Sequence, residues 1–376
     1  MPTQSRERII ICQANRADDF ELRRVLRENP MEGRIRVAFA REPSYFDAAQ
    51  VEGDVVDVIV AKTMPSEKIV GFGTRSEKHC FVNGRPGRIG YLSGLRIQAE
   101  YRNGLVLAKG YRLLKQAHGA GSVQLYLTTI IDDNDQAKKI LTSGKAGLPT
   151  YHDLGLFYTL SIRPSAHRNG NSQKGVRIRT AAKKDIKSLV RFLNQHGSQR
   201  QFYPVYKEEH FCQTQGLLRG LKLEDVYLAK ENDRIVGSLA IWNQKAFKQS
   251  IIAGYGRSVR ILRRAYNLFT AINKRPTLPN PGTYLNCQSL ALVCIEKDRL
   301  EIFDTLLQNV LHNAHESKNL HSVLIGFHER DPLLAIARQR PHVEYLSRLY
   351  VVHWQDGDSA FHSLDGRIPY LELGAL

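Results

Sequence analysis

An internal repeat constrains the fold of this chain more than any other feature of its sequence. Three short segments recur with nearly the same spacing: ICQA at residues 11–14 with IRTA at 178–181, VIVAK at 58–62 with VYLAK at 226–230, and KIVG at 68–71 with RIVG at 234–237. The offsets are 167, 168 and 166 residues, and one spacing kept over three segments is poorly explained by chance recurrence of strand-like strings. The sequence therefore predicts two copies of one structural unit.

Further along the chain the spacing between matching segments increases by about thirty residues. YLSGL at residues 91–95 resembles CQSLA at 287–291, and NDQA at 134–137 resembles DPLL at 331–334. These offsets are 196 and 197 residues. The change predicts an insertion in the second copy near residues 245–283.

A polar segment at residues 163–175 separates the copies. It is rich in Gly, Ser and Asn and has no hydrophobic period, which is typical of a linker. We therefore expect a first domain at residues 1–166, a linker at 167–175 and a second domain at 176–376.

Both copies mix strand-like and helix-like patterns. In the first copy the patterns predict strands near 9–14, 34–40, 55–62, 68–77, 88–97, 122–129 and 155–162, and helices near 18–28, 104–118 and 134–142. The fold class that follows is α/β, an α+β unit with a mixed sheet, present twice.

The composition indicates a soluble protein with an acidic partner. Hydrophobic residues make up 42% of the 376 residues, and no apolar run approaches the roughly 18 residues of a membrane-spanning helix. The first residues do not resemble a signal peptide, so we expect a cytoplasmic protein without a transmembrane segment. The net charge of +17 favours nucleic acid, an anionic membrane surface or a polyphosphate-bearing molecule as partner.

Cysteine and histidine spacing gives no indication of a disulfide framework or a metal site. The five cysteines are scattered without a CxxC pair, which agrees with reduced thiols. His312 and His315 stand three residues apart, but no HExxH motif accompanies them, so no metal is predicted.

The segment at residues 90–114 has the pattern of a strand, a tight turn and a helix. A glycine stands in the turn at 101–104, and the following helix begins with free backbone N–H groups and a positive dipole end. Such a junction suits a phosphate group, although many junctions carry a glycine for steric reasons alone.

This segment resembles the acetyl-CoA-binding strand, loop and helix of the GNAT (GCN5-related N-acetyltransferase) superfamily. The segment from Asn134 to Ala137 is similar to the Asn-x-x-Ala motif of that family. The order of strands and helices agrees in both copies, so the chain resembles two tandem GNAT-like acyl-CoA N-acyltransferase domains. The resemblance implies an N-acetyltransferase that uses acetyl-CoA, or another acyl-CoA, as cosubstrate.

The resemblance also implies positions for the cosubstrate. The backbone of Leu95, Arg96 and Ile97 would pair with the pantetheine amides, and an N–H near Leu95 would polarise the thioester carbonyl. Asn134 would face the pantetheine arm. The loop that would hold the pyrophosphate consists of Arg102, Asn103, Gly104, Leu105, Val106 and Leu107. An amine acceptor, a small molecule or a protein, would lie in the cleft between the copies.

Candidate acid and base residues follow from the same resemblance. Leu141 occupies the position of the usual tyrosine acid, so Tyr151, the next tyrosine downstream, is the candidate acid. Tyr158 is an alternative, and either could instead be a structural buried tyrosine. Glu77 and Glu100 are candidate bases, with an exposed surface glutamate as the commoner explanation for each.

The second copy lacks the features of a cofactor site. Residues 290–304 contain no glycine, and acidic side chains surround the helix start: Glu296, Asp298, Glu301 and Asp304. These carboxylates would repel a pyrophosphate. We therefore expect a degenerate domain that supports the first copy or shapes its acceptor site.

The insertion contains a basic amphipathic helix at residues 257–275. Arg257, Arg260 and Arg264 recur at helical spacing, and nearby residues supply an apolar surface: Ile261, Leu262, Tyr266, Leu268 and Phe269. The pattern is compatible with contact to nucleic acid, to an anionic membrane or to an acidic acceptor. It is equally compatible with a helix packed on the core with a solvated arginine face.

Two other functions remain compatible with the sequence. Aminoacyl-tRNA could be the acyl donor, since the positive charge suits RNA and binding would then weaken steeply with salt. The second alternative is a non-catalytic regulatory module that binds CoA or an anionic surface.

Overall fold

The computed structural model describes residues 8–31, 33–102, 105–119, 123–145, 147–166, 175–273, 277–316 and 320–376. Its strands are β1 (Arg8–Gln13), β2 (Ile35–Ala40), β3 (Val55–Met64), β4 (Ile69–Val82), β5 (Arg85–Ile97), β6 (Tyr126–Ile131), β7 (Thr150–Ile162), β8 (Val176–Thr180), β9 (Val226–Glu231), β10 (Arg234–Trp242), β11 (Gln249–Tyr255), β12 (Cys287–Ile295), β13 (Ser322–His328) and β14 (His342–His353). Its helices are α1 (Asp19–Glu28), α2 (Tyr45–Ala49), α3 (Leu105–Gly119), α4 (Asp135–Leu141), α5 (Ile186–Gly197), α6 (Arg257–Asn273), α7 (Leu300–Glu316), α8 (Leu333–Ala337) and α9 (Asp358–His362). Among the residues described, no helix is long and apolar enough to cross a membrane.

Twelve strands form one mixed sheet in the order β1-β3-β4-β5-β6-β14-β7-β13-β12-β10-β9-β8. The long strands β14 and β7 pair antiparallel at its centre, from His342 opposite Ile162 to His353 opposite Thr150. On its other edge β14 pairs with β6 of the first half of the chain, and β7 pairs with β13 of the second half. The halves therefore exchange their last strands and share one continuous sheet. The domain boundaries given above stay a prediction.

The predicted insertion contains β11 and α6. Strand β11 does not join the large sheet but pairs antiparallel with β2, from Ile35 opposite Tyr255 to Ala40 opposite Gln249. The strand predicted near residues 34–40 thus forms a separate two-stranded sheet with the other half. Helix α2 had not been predicted.

Helices pack on both halves of the sheet through apolar faces. In the second half, α7 buries Phe303, Leu306 and Val310 completely. It approaches β10 at Gly237, where an added Cβ would lie 2.8 Å from Ile302 and 2.9 Å from Leu306. The absence of a side chain at Gly237 therefore allows close contact between helix and sheet.

The position of β14 between β6 and β7 predicts that both halves of the chain depend on it for stability. Leu349 on β14 is fully buried between Thr129 of β6 and Gly155 of β7. We expect Leu349→Ala to lower the unfolding free energy by about 2–5 kcal/mol, because truncation of a buried leucine leaves a cavity. Chemical denaturation followed by both circular dichroism and tryptophan fluorescence should show one shifted transition, since β14 contacts both halves.

The control for this experiment is Leu268→Ala on α6, where the side chain is 76% exposed. Its unfolding free energy should change by no more than about 0.5 kcal/mol. Two separate transitions, of which only one shifts in Leu349→Ala, would contradict the dependence of both halves on β14.

Candidate functional site

The candidate site begins where β5 and β6 separate. The two strands pair in parallel at Gly90 with Tyr126 and at Tyr91 with Leu127. Beyond that point the Thr128 hydroxyl still donates a hydrogen bond to the Leu92 carbonyl oxygen, 2.8 Å away. The strands then diverge toward their carboxyl ends, which is where ligands bind in sheets of this kind.

A cavity of about 1070 Å³ fills this gap and extends under the second half. Its lining includes residues of both halves: Leu92, Leu95, Ile97, Thr128, Ile130, Asn134, Trp242, Gln244, Lys248, Ser289 and Leu324. Burial lowers the pKa of Lys248 well below its ordinary value, and the Lys248 amino group donates to the Gly374 carbonyl oxygen at 3.0 Å. Both halves therefore contribute to one binding space.

A β-bulge lies on β5 at the edge of the cavity. Phe72 of β4 pairs with Arg96 and Thr74 pairs with Ser93, so Gly94 and Leu95 together stand opposite Gly73. Gly94 has φ of +66°, in the left-handed region that favours glycine. A bulge takes the extra residue out of the hydrogen-bond ladder, so backbone groups here can serve a ligand.

The side chain of Arg96 connects this bulge to the end of α1 by hydrogen bonds. Its guanidinium donates to the Leu95 carbonyl oxygen at 2.9 Å and to the Asn29 carbonyl oxygen at 3.0 Å. Leu95, Arg96 and Ile97 all line the cavity, as expected for strand residues that would contact a pantetheine arm. Their contact with a cosubstrate stays a prediction.

The predicted pyrophosphate loop leads from β5 into α3. Arg102 is exposed, lines the cavity and donates from Nε to the Ile97 carbonyl oxygen at 2.8 Å. Asn103 and Gly104 lie outside the described residues. Helix α3 begins at Leu105, which points outward at 64% exposure, while Val106 is buried and Leu107 is half-buried. Val106 and Leu107 also line the cavity, so the start of α3 borders the binding space.

Asn134 lies across the gap from the bulge and lines the cavity. It is the N-cap of α4, and its side-chain oxygen accepts a hydrogen bond from Ala137 N at 3.1 Å. The cap uses the oxygen, so the amide nitrogen is the group that can face a ligand.

The three predicted acid and base residues do not gather at the bulge. Tyr151 lies three strands away on β7, level with the closed end of the gap, and its hydroxyl contacts the Tyr111 hydroxyl at 2.5 Å. Burial raises its pKa well above the ordinary value for tyrosine. Glu100 is exposed on a short 3-10 turn and does not line the cavity.

Glu77 is the third of these residues, and it is held in a buried ion-pair network. One carboxylate oxygen accepts from Arg75, and the other lies 3.3 Å from Arg88 Nη2. Glu77 is 3% exposed and does not line the cavity. The structure therefore places it in a structural role, and the geometry does not favour it as a base.

Glu52 is the carboxylate that does lie beside the bulge, and the sequence interpretation missed it. It is 1% exposed and lines the cavity. One oxygen accepts from the Ser93 hydroxyl at 2.7 Å, and the other lies 3.1 Å from Arg41 Nη2. Ser93 directly precedes Gly94, so this carboxylate stands next to the bulged backbone.

The hydroxyl of Tyr45 lies on the same side of the bulge. An added Cβ at Gly94 would lie 3.2 Å from this oxygen, which also contacts the Thr74 hydroxyl at 2.7 Å. Burial, together with the negative charge of Glu52, raises the pKa of Tyr45 to about 12. A carboxylate and a neutral phenol thus lie together at the cavity wall, as a proton acceptor and a proton donor would.

A signal for both residues was present in the sequence. Tyr45, Ala48, Ala49 and Glu52 recur at i, i+3, i+4 and i+7, and all four are buried. This spacing is typical of one helix face, and α2 followed by a 3-10 turn presents it to the core.

The second half has an equivalent bulge, but its backbone amide is bonded to a side chain of the protein. Ser238 pairs with Cys294 and Ala240 with Ala291, so Leu292 and Val293 stand opposite one residue, and Leu292 has φ of +53°. Its amide donates to the carboxylate of Glu372 at 2.9 Å. The backbone group that a ligand would need is therefore already bonded.

The acidic helix start of the second half is neutralised by arginines. Glu296 pairs with Arg234, and Asp298 accepts from Arg200 at 2.6 Å. Both arginines are thereby engaged by carboxylates. That the second copy is a degenerate cofactor domain stays a prediction.

Comparison with known proteins identifies the fold. The chain matches no protein-family model and no curated protein sequence. A GCN5-related glucosamine N-acetyltransferase region of a fungal multi-domain GH3 β-N-acetylglucosaminidase is similar over 93% of this chain, with a TM-score of 0.59 and 12% identity. The chain spans 38% of the length of that fungal protein.

Two other solved structures agree with this result. N-myristoyltransferase from Saccharomyces cerevisiae, with bound myristoyl-CoA, is similar over 94% of this chain and 84% of its own, with a TM-score of 0.56 and 12% identity. A GCN5-related N-acetyltransferase from Sphaerobacter thermophilus is similar over 91% and 95%, with a TM-score of 0.53 and 12% identity. The predicted mixed α/β GNAT fold is confirmed.

Glu372, which bonds the bulge of the second half, predicts how the stability of the protein depends on pH. Glu372 is 3% exposed, and its Oε2 also accepts from the hydroxyls of Tyr370 at 2.9 Å and Tyr206 at 3.2 Å. Burial raises its pKa above that of the unfolded chain, about 4.3. The proton therefore stabilises the folded state fully below pH about 4.3, and this contribution is lost as the pH rises through the folded pKa.

We therefore expect wild type to lose stability relative to Glu372→Gln as the pH rises from about 4, by up to about 1.4 kcal/mol per pH unit. Urea denaturation of both proteins between pH 4 and pH 8 measures this difference. Glu224→Gln, at an exposed ion-paired glutamate, should show no such trend. A constant difference between wild type and Glu372→Gln would contradict the raised pKa.

Proposed function

We propose that the protein is an acyl-CoA-dependent N-acyltransferase. The observation that carries the proposal is the bulge at Gly94 and Leu95, which opens into the gap between β5 and β6 with Glu52 and Tyr45 beside it. Proteins with the same fold are named as glucosamine N-acetyltransferase and N-myristoyltransferase, which supports this class of reaction.

The acyl-CoA would occupy the gap between β5 and β6. The start of α3 and Arg102 would bind the pyrophosphate, because backbone amides, the helix dipole and the guanidinium all favour an anion there. The pantetheine arm would run along Leu95, Arg96 and Ile97 and face Asn134. The thioester carbonyl would then lie at the bulge.

The closed end of the gap would hold the acyl chain. It is lined mainly by apolar and aromatic side chains, among them Tyr111, Leu114, Leu141 and Tyr151. Tyr151 would in this arrangement contact the chain rather than protonate the thiolate. The space there suits chains longer than acetyl, so acetyl-CoA is one of several candidate donors.

The chemistry would be direct transfer. Glu52 would accept a proton from the acceptor amine, whose nitrogen lone pair attacks the thioester carbon. A backbone N–H at the bulge would stabilise the oxyanion of the tetrahedral intermediate. As the amide forms, the C–S bond breaks, and the thiolate of CoA takes a proton from the Tyr45 hydroxyl.

The acceptor would approach from the side of the second half. There Trp242, Gln244 and Lys248 line the cavity, opposite the cofactor gap. The acceptor would be an amine on a small molecule or a protein.

Binding of the donor gives the first test of this function. Arg102→Glu should weaken the binding of acyl-CoA at least tenfold, because a carboxylate at the loop repels the pyrophosphate. Isothermal titration calorimetry with acetyl-, octanoyl- and myristoyl-CoA measures the effect and the preferred chain length. Arg85→Glu, an exposed arginine at the other end of β5, is the matched control and should bind like wild type.

Tighter binding with longer chains would support the apolar end as the chain site, since each buried CH₂ contributes about 0.8 kcal/mol. Failure of wild type to bind any acyl-CoA would refute the donor class. Binding of aminoacyl-tRNA instead, with a steep loss of affinity in salt, would favour that alternative donor.

Turnover gives the second test. We expect Glu52→Gln to lower kcat by about 10²- to 10⁴-fold, the range that a positioned base contributes, with little change in acyl-CoA affinity. Tyr45→Phe should also lower kcat. Release of free CoA thiol in the presence of a panel of primary amines measures the rate.

Glu100→Gln is the matched control, because Glu100 is an exposed carboxylate outside the cavity. It should react at the wild-type rate. Equal activity of wild type and Glu52→Gln would remove Glu52 from the mechanism. Saturable acyl-CoA binding with no transfer to any amine would instead favour the regulatory module.

A further inference from the structure

Helix α6 is held in one orientation by its polar side chains. Arg263 Nη1 donates to the carbonyl oxygens of Leu278 and Pro279 at 3.1 and 3.0 Å. The side-chain amide of Asn267 bonds both N and O of Leu278, at 2.9 and 3.0 Å. These four contacts lie on one face and fix which side of the helix turns away from the protein.

The opposite face of α6 is apolar and exposed. Ile261 and Leu268 are each 76% exposed, and Leu262 and Phe269 are each 62% exposed. These residues stand at i, i+1, i+7 and i+8, which forms one stripe along a helix. The alternative of a helix that buries its apolar face on the core is therefore wrong for these four residues.

A row of arginines borders the stripe. Arg257, Arg260 and Arg264 are exposed and stand at i, i+3 and i+7, so they lie along one edge. The α6 segment contains no Asp or Glu, and the whole chain carries a net charge of +17. The surface thus combines exposed aliphatic and aromatic side chains with a concentration of positive charge.

This combination matches one partner better than the others. A nucleic acid would use the arginines through its phosphates but gives the four large apolar side chains no apolar phase to enter. An interfacial helix places both groups favourably, with apolar side chains among the acyl chains and arginines at the headgroup phosphates. We propose that α6 docks the protein on an anionic lipid bilayer, with the helix lying in the plane of the interface.

Docking through α6 brings the large cavity close to the membrane. Leu278 and Pro279, which the side chains of α6 hold, line that cavity, and Tyr284 lines it as well while 51% exposed. A lipid-borne donor or acceptor would then have a short path to the site. The docking itself does not depend on the proposed function, and its test requires no turnover.

Sedimentation with vesicles tests the proposal on the whole protein. We expect wild type to bind vesicles of about 70% phosphatidylcholine and about 30% phosphatidylglycerol and to bind pure phosphatidylcholine weakly, because each arginine near an anionic surface contributes about 1 kcal/mol. The triple variant R257Q/R260Q/R264Q should therefore lose on the order of 100-fold in affinity, about fivefold for each arginine. The triple variant I261S/L268S/F269S should lose at least as much.

Matched controls separate this surface from general charge and hydrophobicity. The variant K183Q/K184Q/K187Q removes the same charge from exposed lysines outside α6. Phe20→Ser removes an aromatic side chain that is 64% exposed, close to the 62% of Phe269. Both controls should sediment with vesicles like wild type.

Insertion is measured with a reporter on the apolar stripe. The variant Leu268→Trp should emit at shorter wavelength on anionic vesicles and be quenched by brominated lipid, whereas the emission of Phe20→Trp should not change. A wild-type protein that does not bind anionic vesicles would overturn the proposal. So would loss of binding in the arginine variant alone, with the serine variant still bound and the emission of the Leu268→Trp variant unchanged; binding to tRNA in a gel-shift assay would then identify a nucleic-acid surface.

Discussion

The pairing of β14 with β7 is the interaction on which the rest of the structure depends. Each strand has one edge bonded to this partner and its other edge bonded to the opposite half of the chain. Neither half therefore completes its sheet with its own strands alone. Because the sheet is continuous, the gap between β5 and β6 and the walls from β10 to β13 face one cavity instead of two.

The two halves then differ at one equivalent point. Both contain a bulge at the same place in the sheet, at Gly94 in the first half and at Leu292 in the second. In the second half the carboxylate of Glu372 accepts from the bulged amide, while two tyrosine hydroxyls bond the same oxygen. A buried amide needs a partner, and here the chain supplies it, so the second half gains stability where the first retains room for a ligand.

Local patterns in the sequence were sufficient to predict many of the strands and helices. Most strands of the first half follow from hydrophobic periodicity, which depends only on neighbouring residues. The repeat and the insertion rest instead on the spacing of matching segments and stay predictions. Strand exchange depends on contacts between residues about 200 positions apart, such as Leu349 with Gly155, and no local pattern encodes them. The candidate site residues divide in the same way. A motif predicted Leu95 and Asn134, which line the cavity, whereas Glu52 reaches the bulge only through the packing of α2.

Glu52 and Glu77 are both buried glutamates, but their surroundings give them different roles. Glu77 faces two arginines at the closed end of the gap, where its charge is neutralised in place. Glu52 contacts one arginine and one serine, and it stands at a cavity wall beside a phenol whose pKa burial raises to about 12. Glu52 lines the cavity, where an acceptor amine could reach it, whereas Glu77 does not line the cavity. Access to the cavity therefore separates the catalytic candidate from the structural carboxylate, which sequence position alone does not.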